Sequence, residues 1–218
     1  PVFLIKHNSS ERTTEEMLSI VRRYIPDVQG WTNVHGPSMI TDPEALDRAA
    51  QHIAKADLPP ARAIIVAAFG DPGAQALAKT RDTPVIGIGA AAARAAGQGG
   101  VPFAVVTTTP RLASAISALM QACGTGYLGC FLTDGDPEEL LADPAALDAA
   151  LIFACKTAAK AGAKQIIIGG GPLATAAVRI AKQVPVPLVQ PLVAACDELA
   201  ARTGHSVPPA PDECQSAR

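Results

Sequence analysis

This chain reads as an α/β protein of two pseudo-symmetric α/β lobes with parallel sheets and a cleft between them. Three observations carry that reading. Short aliphatic runs alternate with Ala-rich stretches of helical period along the chain, and strand–helix alternation builds parallel sheets with helices on both faces. The aliphatic runs show little polar alternation, as in strands covered on both sides. The second half also repeats the first, at an offset of roughly a hundred residues. "ARAIIVAAFGDPGAQALA" resembles "AKQIIIGGGPLATAAVR", "VFLIKHNSS" resembles "PFAVVTTTP", and "TPVIGIGAAAARAA" resembles "VPLVQPLVAACDELA".

Taken in order, "VFLIKH" is the first strand. It opens through "KHNSS" into a helix expected to start near Thr13 or Thr14 and to cover 15–24. "WTNVH" reads as a short strand leading into the loop "GPSMI". A helix over 43–56 follows, with Asp42 as N-cap and Pro43 at the first helical position. Strand "ARAIIVAAF", a helix over 74–79, strand "TPVIGIG" and a helix over 90–96 complete a first lobe at 1–98. The second lobe, 99–190, alternates "VPFAVVTT", "GYLGCFLT", "KQIIIGG" and "VPLVQ" with helices over 112–122, 144–161 and 174–183. Asp136-Pro137 and Asp143-Pro144 repeat the capping device. A last helix over 191–203 heads the segment 191–218, which is expected to pack back on the first lobe. Its tail, "HSVPPAPDECQSAR", has the Pro-rich polar composition of a loose end.

Composition narrows the function. With 218 residues and 49% hydrophobic content the chain can bury a sizeable core. A net charge of −2 and 4% aromatics give no electrostatic or stacking footprint for nucleic acid, and no attraction to an anionic membrane. Five cysteines without a C-x-x-C pair argue against a disulfide framework and against zinc. A reducing cytoplasm is the expected compartment. "PVFLIKHNSS" lacks the charged start and apolar run of a signal peptide, and no apolar run reaches the ~18 residues of a membrane span.

Ligands in open parallel sheets bind outside the carboxyl ends of the strands. The repeat makes Ala68 and Gly170 equivalent positions on opposite walls of the cleft. "KHNSS" places Lys6 and His7 at the open end of the first strand, as candidate base or electrophile. Asn8, Ser9 and Ser10 offer short polar groups and free N–H groups for a carboxylate or carbonyl, or simply a helix cap. Thr107, Thr108 and Thr109 form the equivalent turn in the second half. "FGDPG" supplies Phe69, Gly70 and the acid Asp71, which is either chemical or an N-cap ahead of Pro72. "GGGPL" contains Gly170, Gly171, Pro172 and Leu173 and matches no phosphate-loop pattern, so its glycines point to close backbone approach to a small ligand. Ser38, with His35, sits near the expected cleft mouth. Cys123, Cys130, Cys155 and Cys196 read as small core residues.

These stretches together resemble the aspartate/glutamate/hydantoin racemase superfamily, nearest its hydantoin and allantoin racemase branch. "HNSS", "GPSMI", "AAFGDPG", "PVIGIGAAA", "FAVVTTTPRL", "IIIGGGPLATAA" and "VPLVQPLVAA" occur in the family's order along almost the whole chain. The resemblance implies two α/β halves, a cleft between them, no cofactor, no metal and a homo-oligomer. It also implies two-cysteine chemistry, in which one thiolate removes an α-proton and the opposite thiol returns one. Here the family's first cysteine falls at Ala68 and its second at Gly170. The family's asparagine and proline ahead of "NSS" are Lys6 and His7, and a glutamate often found after "GIG" is Ala90. The expected function is therefore a cofactor-independent enzyme acting on a small carboxylate, ureide or cyclic imide by non-cysteine chemistry, as lyase, isomerase or hydrolase. The alternatives are a genuine racemase using Lys6 or His7 with Asp71 as its two bases, or a non-catalytic binder of small anions.

Overall fold

The structure is a computed structural model that describes residues 1–6, 10–32 and 39–204. Strands β1 (Val2–Lys6), β2 (Val28–Thr32), β3 (Ala63–Val66) and β4 (Val85–Gly87) form one sheet in the order β2-β1-β3-β4. Strands β5 (Phe103–Thr107), β6 (Tyr127–Leu132), β7 (Gln165–Ile168) and β8 (Leu188–Val189) form a second in the order β6-β5-β7-β8. Every strand pair is parallel. The helices are α1 (Glu11–Val21), α2 (Pro43–Ala54), α3 (Ala74–Thr80), α4 (Ile88–Ala96), α5 (Ala113–Cys123), α6 (Pro137–Ala142), α7 (Pro144–Lys160), α8 (Ala174–Ile180) and α9 (Pro191–Thr203).

The repeat seen in the sequence survives as matching register. Ile5 lies opposite Val66 as Val106 lies opposite Ile168. Beyond those pairs, Ala67 N–H donates to the Ile5 carbonyl at 2.8 Å, and Gly169 N–H donates to the Val106 carbonyl at 2.8 Å. At the edges, Ile64 N–H bonds to the Pro84 carbonyl as Ile166 N–H bonds to the Pro187 carbonyl. Ala68 and Gly170 are therefore equivalent in space as well as in sequence.

Side-chain alternation along the strands distributes the core. Val2, Leu4, Ile65, Val105 and Ile167 point to a central cluster shared by both sheets, together with Met17, Phe69, Ile116 and Leu192. Phe3, Ile5, Ile64 and Val66 face the outer helices of the first sheet. Ala104, Val106, Ile166 and Ile168 face those of the second. Helix α9 packs on α4, α1 and β4. No helix among the described residues is long and apolar enough to cross a membrane.

Several boundaries differ from the sequence reading, and three of the differences have a clear physical cause. Helix α1 begins at Glu11, ahead of Thr13, because Ser10 caps it: its Oγ accepts the Thr13 N–H at 3.3 Å. Strand β4 stops at Gly87, two residues short, because α4 takes over at Ile88. The strand expected over "WTNVH" starts earlier, at Val28, and pairs with β1 from Val28 opposite Val2. Its polar Gln29 and Gly30 hid it. Gly30 is needed there, since a Cβ would come within 2.8 Å of Leu18 Cδ1 on α1.

Candidate active site

A narrow cleft, partly open to solvent, lies at the carboxyl ends of β3, β5 and β7, where parallel sheets place their ligands. Ala67, Ala68 and Phe69 follow β3, Thr107, Thr108 and Thr109 close β5, and residues 169–173 follow β7. Met17 from α1, Met39 and Ile40 ahead of α2, and Leu112 and Ile116 complete the lining. The three threonines are buried, and Thr107 Oγ1 lies 3.1 Å from Thr109 Oγ1. Their hydroxyls give an otherwise apolar cleft its polar side chains, the usual make-up of a small-molecule site.

The triple glycine after β7 packs the two halves together. A Cβ on Gly169 would lie 2.6 Å from Phe69 Cε1 and 2.8 Å from Val105 Cγ1, and one on Gly171 would overlap Met17 Cε. Two of these three side chains, Phe69 and Met17, come from the first half, and Val105 from the second. Gly169 and Gly171 thus admit protein side chains, and both also line the cleft. Gly170 differs: its φ of 156° is one that side-chain-bearing residues rarely adopt.

Of the candidates read from sequence, Ala68, Phe69, Thr107, Thr108, Thr109, Gly170, Gly171, Pro172 and Leu173 meet in this one cleft. Gly70 does not line it; it turns the chain at φ 114° against Leu46 of α2. Ser10 does not line it either. It caps α1 and borders a separate surface groove with Arg12 and Thr13. His7, Asn8, Ser9, His35 and Ser38 lie outside the described residues.

Lys6 does not line the cleft: it is 1% exposed, and its Nζ donates to the Ser10 carbonyl at the start of α1. Burial lowers its pKa to about 8. Asp71 is absent from the cleft lining. Its Oδ1 accepts the Gly89 N–H at 2.8 Å and its Oδ2 the Ala90 N–H at 2.7 Å. The sequence offered it as a base or as the cap of α3. It is a cap, but of α4, a helix that begins well down the chain from it; α3 starts behind Gly73.

No cysteine lines the cleft among the described residues. Burial pushes Cys130 up to about 11 and Cys155 and Cys196 up to about 12, and it raises Cys123 as well. These thiols are protonated near neutral pH and far from nucleophilic. The apolar lining residues Met17, Met39, Ile40, Leu112 and Ile116 escaped sequence reading, because apolar residues at helical spacing look the same whether they face a core or a cleft.

Two parallel sheets of the same strand order, with equivalent turns facing one cleft, define a class of two-lobed α/β proteins. The family within that class is shown by sequence. The model of the Asp/Glu/hydantoin racemase family matches residues 2–199, and the chain belongs to this family. It is 24% identical over 213 residues to the hydantoin racemase of Paenarthrobacter aurescens, covering 89% of this chain and 87% of that one. Among solved structures, allantoin racemase from Klebsiella pneumoniae is 25% identical with a TM-score of 0.80, covering 98% of this chain and 92% of that one. Allantoin racemase from Pseudomonas fluorescens, 23% identical, superposes with a TM-score of 0.83 over 98% of this chain and 96% of that one. Arylmalonate decarboxylase, 16% identical, reaches 0.65 over 99% and 98%. The last two likenesses speak for the fold.

Proposed function

We propose that the chain is a cofactor-independent enzyme acting on a small carboxylate, ureide or cyclic imide held in this cleft, and that its chemistry uses no thiol. One observation carries the reading. The two equivalent wall positions, Ala68 and Gly170, carry no ionisable group, and every described cysteine lies elsewhere with a raised pKa. The threonine hydroxyls and the N–H groups of the turns after β3 and β7 would hold a ligand oxygen as charge develops on it. As proton-transfer groups we propose Lys6, which is buried, bonds to the Ser10 carbonyl and would have to leave that bond to reach a ligand, and His7, which follows it in the chain. A lysine near pKa 8 is partly neutral at mildly alkaline pH, which suits a base. A two-base racemisation by Lys6 or His7 with Asp71 has little support, because both carboxylate oxygens of Asp71 are engaged outside the cleft.

Proton NMR in D2O tests the proposal. The panel pairs 5-substituted hydantoins and allantoin, named for the relatives, with substituted malonates, aspartate and glutamate. We expect one substrate class to lose its α-proton or form product at a rate that thiol alkylation leaves unchanged. Inactivation by alkylation would sink the thiol-free mechanism. Ligand line broadening without exchange or product would make the chain a binding protein. With an active substrate in hand, Lys6→Met and His7→Ala distinguish the two candidate bases.

A further inference from the structure

The acid that the sequence offered to the chemistry has a task of a different kind. We propose that Asp71 is a positioning residue whose carboxylate clamps the turn carrying Ala68 and Phe69 onto the first turn of α4, and so sets the shape of one wall of the cleft. This rests on the cleft described above and deepens its assignment.

The clamp is built at both ends. Asp71 grips the Gly89 and Ala90 N–H groups with separate oxygens, at a helix end that favours negative charge. Its own N–H donates to the Ala68 carbonyl at 3.0 Å, and its carbonyl accepts the Ala74 N–H at 3.2 Å. One residue thus ties the cleft wall to the start of α3 and the start of α4. Among the described residues Asp71 is the one non-glycine with positive φ, at 51°. Such a conformation persists where the surroundings over-determine it. Two glycines make room for the carboxyl. A Cβ on Gly87 would overlap it, and one on Gly89 would meet Leu119 Cδ2 at 2.8 Å as well as Oδ1 at 3.2 Å. Gly87 has an ordinary φ of −86°, so its backbone does not call for glycine; the carboxyl beside it does.

The clamp is expected to respond to acid. Burial pushes Asp71 up to about 6, against the opposing pull of the two N–H bonds. The charged and titratable groups that act on it are Arg94 of α4, which favours the carboxylate, and Glu198 of α9, which opposes it; Cys123 at the end of α5 feels its charge in turn. Protonation removes the negative charge that faces two N–H donors, which loosens the tie.

The experiment is an amide NMR titration of the whole chain from about pH 4.5 to 7.5. We expect the Ala68, Phe69, Gly89 and Ala90 amides to titrate with one shared midpoint near 6. Asp71→Asn should abolish that titration and speed hydrogen exchange at Gly89 and Ala90 about tenfold. Gly87→Ala, which leaves the carboxyl intact but displaces it, should shift the Ala68 and Phe69 amides in the same direction. If Gly89 and Ala90 titrate while Ala68 and Phe69 stand still, Asp71 is a helix cap only and the proposal fails. It fails equally if none of the four titrates. These signals need no substrate, so a lack of turnover would count against the enzyme reading and leave the clamp to be judged separately.

Discussion

Lys6 and Asp71, two buried ionisable groups, tilt stability in opposite directions on the pH scale. Lys6 has a folded pKa near 8, below its ordinary 10.5, so the unfolded chain binds the proton more tightly. Stability therefore rises with pH between about 8 and 10.5, by on the order of 3 kcal/mol. Lys6→Met should flatten that rise in denaturant titrations. Asp71 has a folded pKa near 6 against an ordinary 3.8, so the folded chain binds the proton more tightly. Its contribution is fully present below pH 3.8 and is lost as the pH climbs through 6. Asp71→Asn should remove that component, again seen as a changed slope of unfolding free energy with pH. The equivalence of Ala68 and Gly170 was legible because the repeat aligns them. The duty of Asp71 was not: its partners Gly89 and Ala90 are backbone N–H groups far along the chain, and backbone groups carry no sequence signature.

Helix starts were the most legible elements. Asp42, Asp136 and Asp143 each precede a proline, and each accepts N–H bonds from the first turn of the helix it opens. Asp143→Ala should cost about 1 kcal/mol in chemical denaturation, since Asp143 Oδ1 accepts from both Ala145 and Ala146 at the head of α7. The sequence offers Ser10 as a helix cap, and α1 begins directly behind it at Glu11. Strand β2 begins three residues ahead of the run "WTNVH", because Gln29 and Gly30 interrupt the apolar pattern and glycine is a poor strand residue on propensity. The packing of Leu18 against Gly30 overrides that preference.

The two halves share one core, and the cleft depends on that junction. Gly169→Ala would press a methyl group into Phe69 and Val105 without straining the backbone. We expect a loss of about 1–3 kcal/mol in thermal or chemical unfolding, with ligand affinity falling alongside as Phe69 is pushed toward the cleft. At the surface, Arg111, just past the threonine turn, reaches Asp42 at 3.7 Å and Glu44 at 3.4 Å on α2. These are exposed pairs, so Arg111→Ala should change stability by less than about 1 kcal/mol, and raised salt should erase the difference. Alternation of runs, capping pairs and the internal repeat were sufficient to predict two parallel sheets with equivalent turns over one cleft, because each is a local pattern or a comparison within the chain. That Gly169 and Gly171 admit Phe69 and Met17, and that the Asp71 carboxylate meets the N–H groups of Gly89 and Ala90, was decided only by folding. Those contacts join residues from different elements, and their chemistry depends on distance and burial, which no local pattern encodes.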